Sequence, residues 1–228
     1  MTLEKAKSMA EAVKKAGVKS MVGYMMRYGS AVQKLKGMID SGEAGAVTLF
    51  DARYECNSLH TPWWIHIEKS GGQIFEQIIH LYDLSMYFLG TPKSAVGFKA
   101  NLCHADVEGY TVEDTSSGLV KFEKGGIASI SGTNCAVPMT WGNPFTVVCK
   151  NVTVNFTDPN NAEFIYTINE EPVREIISTK DDLYFAEIST FIKVLSGAEI
   201  QVSTVLDGLE SLRLVDCVTN SNGQLLNI

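Results

Sequence analysis

The sequence predicts an α/β (α+β) fold: an open, largely antiparallel sheet with helices on one face, preceded by a residual αβ unit. Three observations predict it. Strand signals fill residues 46–56 and 93–177. Helical periodicity appears before, between and after them. One helix–strand pair, residues 1–24, stands outside that pattern. The chain has 228 residues, 45% hydrophobic and 20% charged, enough to bury a sizeable core.

Thr2 can cap a first helix, in which Leu3, Ala6, Ala10 and Val13 recur at helical spacing before Gly17 ends it. VKSMVGY, residues 18–24, reads as a short buried strand and completes one step of a parallel sheet. One αβ step cannot bury its own faces, so 1–24 reads as the tail of a domain whose remainder is absent, and 25–228 as a second domain. Exposed edges and apolar faces are an association hazard, so removing 1–24 is expected to improve solubility. A second helix fits 30–41, with Val32, Leu35 and Ile39 on one face and DSGEAG as its stop. The strand at 46–56 leads to an irregular stretch, 57–70, and then to a helix over 73–89 that stops at Gly90-Thr91-Pro92. SGLVKFEKGGIASISGT predicts a hairpin turned at Glu123–Gly126. Val152, Val154 and Phe156 alternate with polar residues, as do Phe164, Tyr166 and Ile168. Helices over 182–196 and 203–219 close the chain.

Bulk properties exclude several classes. The net charge is −7 with no basic run, so the clustered positive footprint that nucleic acid needs is missing. No apolar run approaches the roughly 18 residues of a membrane span, and the N-terminus lacks the apolar core of a signal peptide. Five cysteines without a CxxC spacing read as reduced thiols of a cytoplasmic protein.

The helix over 73–89 carries the chemistry. At about 100° per residue, Gln73, Glu76, His80, Asp83 and Tyr87 share a stripe about 80° wide, and apolar residues fill most of the rest. A solvated face is usually rich in Lys and Arg stems, and this stripe has neither, so it is read as facing a cleft. Glu76 and His80 lie at i,i+4 and can touch. A carboxylate there would orient the imidazole and favour its protonated form, and a His so held can take a proton from a substrate hydroxyl. Asp83 could bond the other ring nitrogen or stabilise the helix. A metal is the rival reading, but Glu76 and His80 lack a convincing third ligand beyond His60 or His66 in the preceding loop. A third reading makes His80 a core residue satisfied by Glu76. Gly71-Gly72 allows a sharp turn and the close approach of a ligand to the helix N-terminus.

These residues resemble a known family. SGGQIFEQIIHLYDLSMYFLG resembles the GG-x₃-[D/E]-x₃-H-x₂-D helix of the glucose–fructose oxidoreductase / inositol dehydrogenase / MocA (Gfo/Idh/MocA) family. AGVKSMVGYMMRYGSAVQKLKGMIDSGEAGAV, VEDTSSGLVKFEKGGIASISGT, DDLYFAEISTFIKVLSGAE and DGLESLRLVD resemble further segments of it, so the likeness spans the chain. The resemblance implies an N-terminal Rossmann domain for NAD or NADP and a C-terminal domain for substrate and oligomer contacts. It implies oxidation or reduction of a carbinol on a sugar, cyclitol or related compound, with His80 as general acid/base. Glu76 stands where many members have Asp. The family's catalytic Lys lies in an EKP motif just before the stretch matching MTLEKAKS, and no G-x-G-x-x-G occurs in the sequence. The chain therefore resembles the C-terminal half of such an enzyme, inactive alone, with no tight cofactor binding of its own. The other reading is a non-enzymatic sugar-binding or dimerisation module derived from the family.

The resemblance also places Arg27 and Tyr28 near the cleft, where Arg could bind a hydroxyl or anion, or else cap the domain junction. Trp63 and Trp64 could offer indole faces to a sugar, although core packing is the expectation for one of them. His66 could reach the same pocket, Asp83 is a further substrate contact, and Asn134 is a weaker candidate. The expected partners are a small sugar or polyol, a separately encoded Rossmann half, and further copies of the chain through the sheet face.

Overall fold

The structure, a computed structural model, describes residues 2–59 and 61–228. Its centre is one nine-stranded sheet in the order β8-β7-β6-β5-β1-β4-β3-β2-β9. The strands are β1 (Val47–Glu55), β2 (Pro92–Ala100), β3 (Thr115–Phe122), β4 (Ile127–Thr133), β5 (Phe145–Cys149), β6 (Val152–Asp158), β7 (Asn161–Tyr166), β8 (Val173–Ser178) and β9 (Leu226–Asn227). Every neighbouring pair is antiparallel except β1 with β4.

The register explains why one face is the core. Ala95, Val120, Ala128, Phe50, Val147, Val154 and Phe164 are successive cross-strand partners, and all are buried. Displaced by one residue, the row Val96, Leu119, Ser129, Asp51, Thr146, Asn155, Glu163 and Ile176 lies on the other face. Period-two geometry turns a single alternating pattern into these two surfaces.

Helices cover the core face. α1 (Leu3–Ala16) is capped by Thr2 and ends at Gly17, whose φ of 65° is left-handed. A 3₁₀ turn at Met25–Tyr28 leads into α2 (Ser30–Asp40), which sends Ala31, Val32 and Leu35 into the core. A single turn, α3 (Ile67–Ser70), precedes the region predicted as one helix over 73–89. That region is instead a π-helical turn, Ile74–Ile78, running into α4 (Ile79–Leu89). The wide turn sends Ile74 and Ile78 into the core and leaves Glu76 exposed; such turns recur at functional sites. α5 (Leu183–Leu195) and α6 (Val205–Asn220) follow the sheet.

Residues 18–24 correct the sequence reading. They form no strand, because no ladder partner reaches them among the described residues. They run extended beside residues 203–205: Val22 N donates to Ser203 O at 2.7 Å, Ser203 Oγ donates to Val22 O at 2.7 Å, and Val205 N donates to Ser20 Oγ at 3.2 Å. Nor is α1 left with both faces bare. Ala6 and Ala10 pack with Leu209 of α6 into a small cluster joined by Leu3, Val205 and Leu212. β7 also stops at Tyr166, so Ile168 lies beyond it and is exposed.

The glycine pair has a structural cause. Gly71 ends α3 at φ 84° and Gly72 sits at φ 100°. A Cβ on Gly72 would come within 2.6 Å of Glu113 Oε2. The buried Glu113 carboxylate accepts from Ile74 N at 2.9 Å. The start of the π-helical turn is thus occupied by this chain's own carboxylate, an arrangement that helix N-termini favour.

Candidate active site

A cleft of about 580 Å³ opens where the π-helical turn meets α4. Glu76, Gln77 and His80 form its helical wall, and Trp63, Trp64, Tyr54, Trp141, Asn143 and Tyr184 line the other sides. Trp63 and Trp141 line it while remaining 47% and 57% exposed. Neither Lys nor Arg is among the residues lining the cleft.

His80 is mostly buried, its ring edge-on to Tyr24 at 5.9 Å between centroids. Its Nδ1 is buried without a hydrogen-bond partner among the described residues. Burial lowers its pKa from the ordinary 6.5, because the charged ring loses solvent. This reverses the expectation that Glu76 would favour the imidazolium. The Glu76 carboxylate turns instead to Trp64, accepting the indole Nε1–H at 2.7 Å through Oε2. Burial thus favours the neutral form of the His80 ring, and the Glu76 side chain is anchored to an aromatic wall.

The predicted polar stripe divides. Gln73 is fully buried, donating to Asn134 Oδ1 and accepting from Ser116 Oγ at 3.3 Å. Asn134 also accepts from Cys56 Sγ at 3.3 Å and lies in the interior, not in the cleft. Asp83 is buried and takes two hydrogen bonds from Arg27, at 2.7 and 2.6 Å, with Ser211 Oγ donating at 3.2 Å. Burial opposes the charge on Arg27, but the bonds to Asp83 and its charge outweigh that, so the guanidinium pKa is raised. Burial raises the Asp83 carboxyl pKa even though Arg27 and Ser211 lower it, whereas Arg27 keeps its proton at neutral pH. Asp83 makes no bond to His80 and does not line the cleft. Tyr87 stacks on Arg27 at 4.8 Å.

Of the other sequence-predicted residues, Trp64 is 1% exposed: its ring packs with Tyr110 and Val112, and it reaches the cleft while holding Glu76. Tyr28 donates to Met21 Sδ at 3.6 Å and lies in a different crevice, with Arg27. His66 Nδ1 stands 3.8 Å from Glu68 and does not line the cleft. With Glu76 held by Trp64 and His66 elsewhere, the Glu–His metal reading lacks its third ligand among the described residues; His60 lies outside them. Sequence reasoning missed Tyr54, Trp141, Asn143 and Tyr184. Only the topology brings them to the cleft, though two exposed-ring aromatics in an irregular stretch are a usable signal.

A one-sided sheet with helices on its core face thus carries an aromatic cleft with a helix-borne imidazole in its wall. Residues 32–155 match the GFO/IDH/MocA C-terminal domain, and the chain belongs to that family. It is 23% identical over 231 residues to scyllo-inositol 2-dehydrogenase (NAD(+)) of Bacillus subtilis strain 168, covering 97% of this chain and 65% of that protein. It is 27% identical over 142 residues to D-glucoside 3-dehydrogenase of Escherichia coli K12, covering 56% of this chain and 40% of that protein. Among solved structures, levoglucosan dehydrogenase in complex with NADH and levoglucosan superposes with a TM-score of 0.90 at 16% identity, covering all of this chain and 71% of the other. The chain thus spans about 65% of the length of the curated inositol dehydrogenase it matches.

Proposed function

We propose that this chain supplies the substrate-binding and proton-transfer part of an NAD(P)-dependent oxidoreductase acting on a carbinol of a sugar, cyclitol or related polyol. The observation that carries the reading is the largely buried His80 in the wall of an aromatic cleft, where burial lowers its pKa. In the oxidative direction His80 accepts the carbinol proton, and in the reductive direction it returns it. Glu76, fixed by Trp64, accepts hydrogen bonds from neighbouring hydroxyls and orients the ring that carries them. Trp63 and Trp141 cover the apolar C–H face of that ring. Arg27 and Asp83 act at one remove, holding the 3₁₀ turn that supports Met25 and Met26 beside the cleft. Tyr28 and His66 are assigned no contact.

The nicotinamide does not fit these residues. The sequence holds no Gly-rich phosphate cradle, and the described residues hold no parallel βαβ unit to build one. A Rossmann domain, joined to this chain or separate from it, would bind the dinucleotide and supply hydride chemistry. Without it these 228 residues turn nothing over. The open sheet face, with Leu49, Leu119, Ile127 and Ile176 exposed, suits a homo-oligomer contact in the cytoplasm.

The test adds a family Rossmann domain, in cis or in trans, and follows NAD(P)H absorbance with inositols, glucosides and anhydrosugars. Turnover that appears only with that domain, and that falls at least about 10²-fold in His80→Gln, is the expected result. Tight stoichiometric binding of NAD(H) or NADP(H) to the isolated chain overturns it. A separate reading, a sugar-binding module without catalysis, is favoured by the exposed indoles, and it predicts binding without turnover under any supplement.

A further inference from the structure

Outside the cleft, three strand ends meet around a compact group of metal-ligating side chains. Asp114 immediately precedes β3; its N donates to Ala100 O at the end of β2 (3.0 Å), and its O accepts from Asn134 N just past β4 (2.8 Å). This pairing brings Cys103, from the β2–β3 connection, to Cys135, from the segment after β4, although 32 positions separate them in sequence. One thiol sulfur from each cysteine and a carboxylate oxygen of Asp114 all lie within 4.8 Å of one another. Asp114 is fully buried. Its Oδ2 accepts the backbone N–H groups of Leu102, Cys103 and His104 at 3.0, 2.7 and 3.0 Å, whereas Oδ1 shares only the Leu102 donor and keeps acceptor capacity.

A second observation points the same way. His104 Nδ1 is buried and has no hydrogen-bond partner among the described residues, although it stands 3.3 Å from Asp114 Oδ2. A buried ring nitrogen with no partner costs free energy that a bound ligand would recover. Among the described residues, no Lys or Arg pairs with Asp114; His104 is its only ion-pair partner. Two thiols beside a carboxylate with no Lys or Arg partner among the described residues make an environment that attracts a soft dication.

We propose that Cys103, Cys135 and Asp114 form a binding site for a thiophilic divalent cation of the Zn²⁺ class, with His104 beside it. A tetrahedral zinc with bonds of about 2.0–2.3 Å separates its ligand atoms by about 3.5–3.8 Å, so atoms already within 4.8 Å of one another need to close by no more than about 1.3 Å. The ligand set is two sulfurs and one carboxylate oxygen, which suits Zn²⁺ better than Mg²⁺ or Ca²⁺. The site also connects to the cleft. His104 stacks on Tyr110 at 4.8 Å, Tyr110 packs on Trp64 at 6.3 Å, and Trp64 holds Glu76. A bound cation would pin the 101–114 segment beneath the wall that orients Glu76.

The experiment uses the full chain, reduced and stripped with a chelator. Titration with Zn²⁺ should give one site by calorimetry, and Co²⁺ substitution should give a thiolate-to-cobalt charge-transfer band. Cys103 is exposed, so Cys103→Ser should fold normally and lose the band, with a fall in affinity beyond the about 10–100-fold that outer-shell changes cause. Cys217→Ser, in the buried core, serves as the control and should leave both unchanged. Zn²⁺ affinity unaltered in the Cys103→Ser/Cys135→Ser variant overturns the proposal. So does a Co²⁺ spectrum without thiolate character, or a Cys103–Cys135 disulfide that forms in air and is unaffected by added Zn²⁺.

Discussion

At the residue scale, the His80 ring sits in a desolvated wall of the cleft while the Glu76 carboxylate is bonded elsewhere. The i,i+4 spacing predicts a Glu76–His80 pair, whereas a single indole N–H, twelve positions earlier in the chain, takes the carboxylate. The consequence is a sign reversal with a measurable signature. A His whose pKa falls on folding is protonated more readily in the unfolded chain, so its penalty is absent well above pH 6.5 and grows as the pH drops through that value. Urea midpoints are therefore expected to fall between pH 7.5 and pH 5.5, and to fall less in His80→Gln. Arg27 and Asp83 give a second residue-scale expectation. Arg27→Met leaves a buried carboxylate unpaired and should cost about 3–5 kcal/mol, much of it recovered in Arg27→Met/Asp83→Leu. A substrate contact at Arg27 would instead change ligand affinity with little loss of stability.

At the element scale, legibility followed periodicity. α1, α2, α5, α6 and the β3–β4 hairpin were readable because their apolar spacing and caps are local signals: Thr2, Gly17 and the capping box of Thr204 with Asp207 act within a few residues. The π-helical turn was not readable, because one extra residue in a turn leaves the composition of its faces almost unchanged. The helix start at Ile74 likewise depends on Glu113, 39 residues away. The segment 18–24 has the composition of a strand, but a strand exists only where a partner supplies a ladder. The packing of α1 on α6 was not readable for the converse reason, since that partner comes almost 200 residues later. Removal of residues 1–24 exposes Leu209, Val205 and Leu212, each worth about 1.5–3 kcal/mol when fully buried. It should therefore lower stability by at least about 2 kcal/mol in chemical denaturation. Unchanged stability with better solubility would instead support the reading of 1–24 as the tail of another domain.

At the scale of the whole molecule, the sheet is the device that builds the cleft. Its core face fixes the π-helical turn and α4, and thereby His80, while the ends of β1 and β5 bring Tyr54 and Asn143 opposite. The fold class was legible because alternation and helical spacing add up over many residues. The aromatic rim was not, because Trp141 reaches it from a connection without periodic signal and Tyr184 from the first turn of α5, more than 100 residues after His80 in the chain. The most direct measurement is NMR of chain carrying labelled histidine, titrated with scyllo-inositol, a glucoside and levoglucosan across a pH series. The account predicts that one ring, identified by its loss in His80→Gln, titrates below 6.5 and shifts on saturation with a ligand that binds. Ligand binding that leaves that resonance unmoved would contradict it.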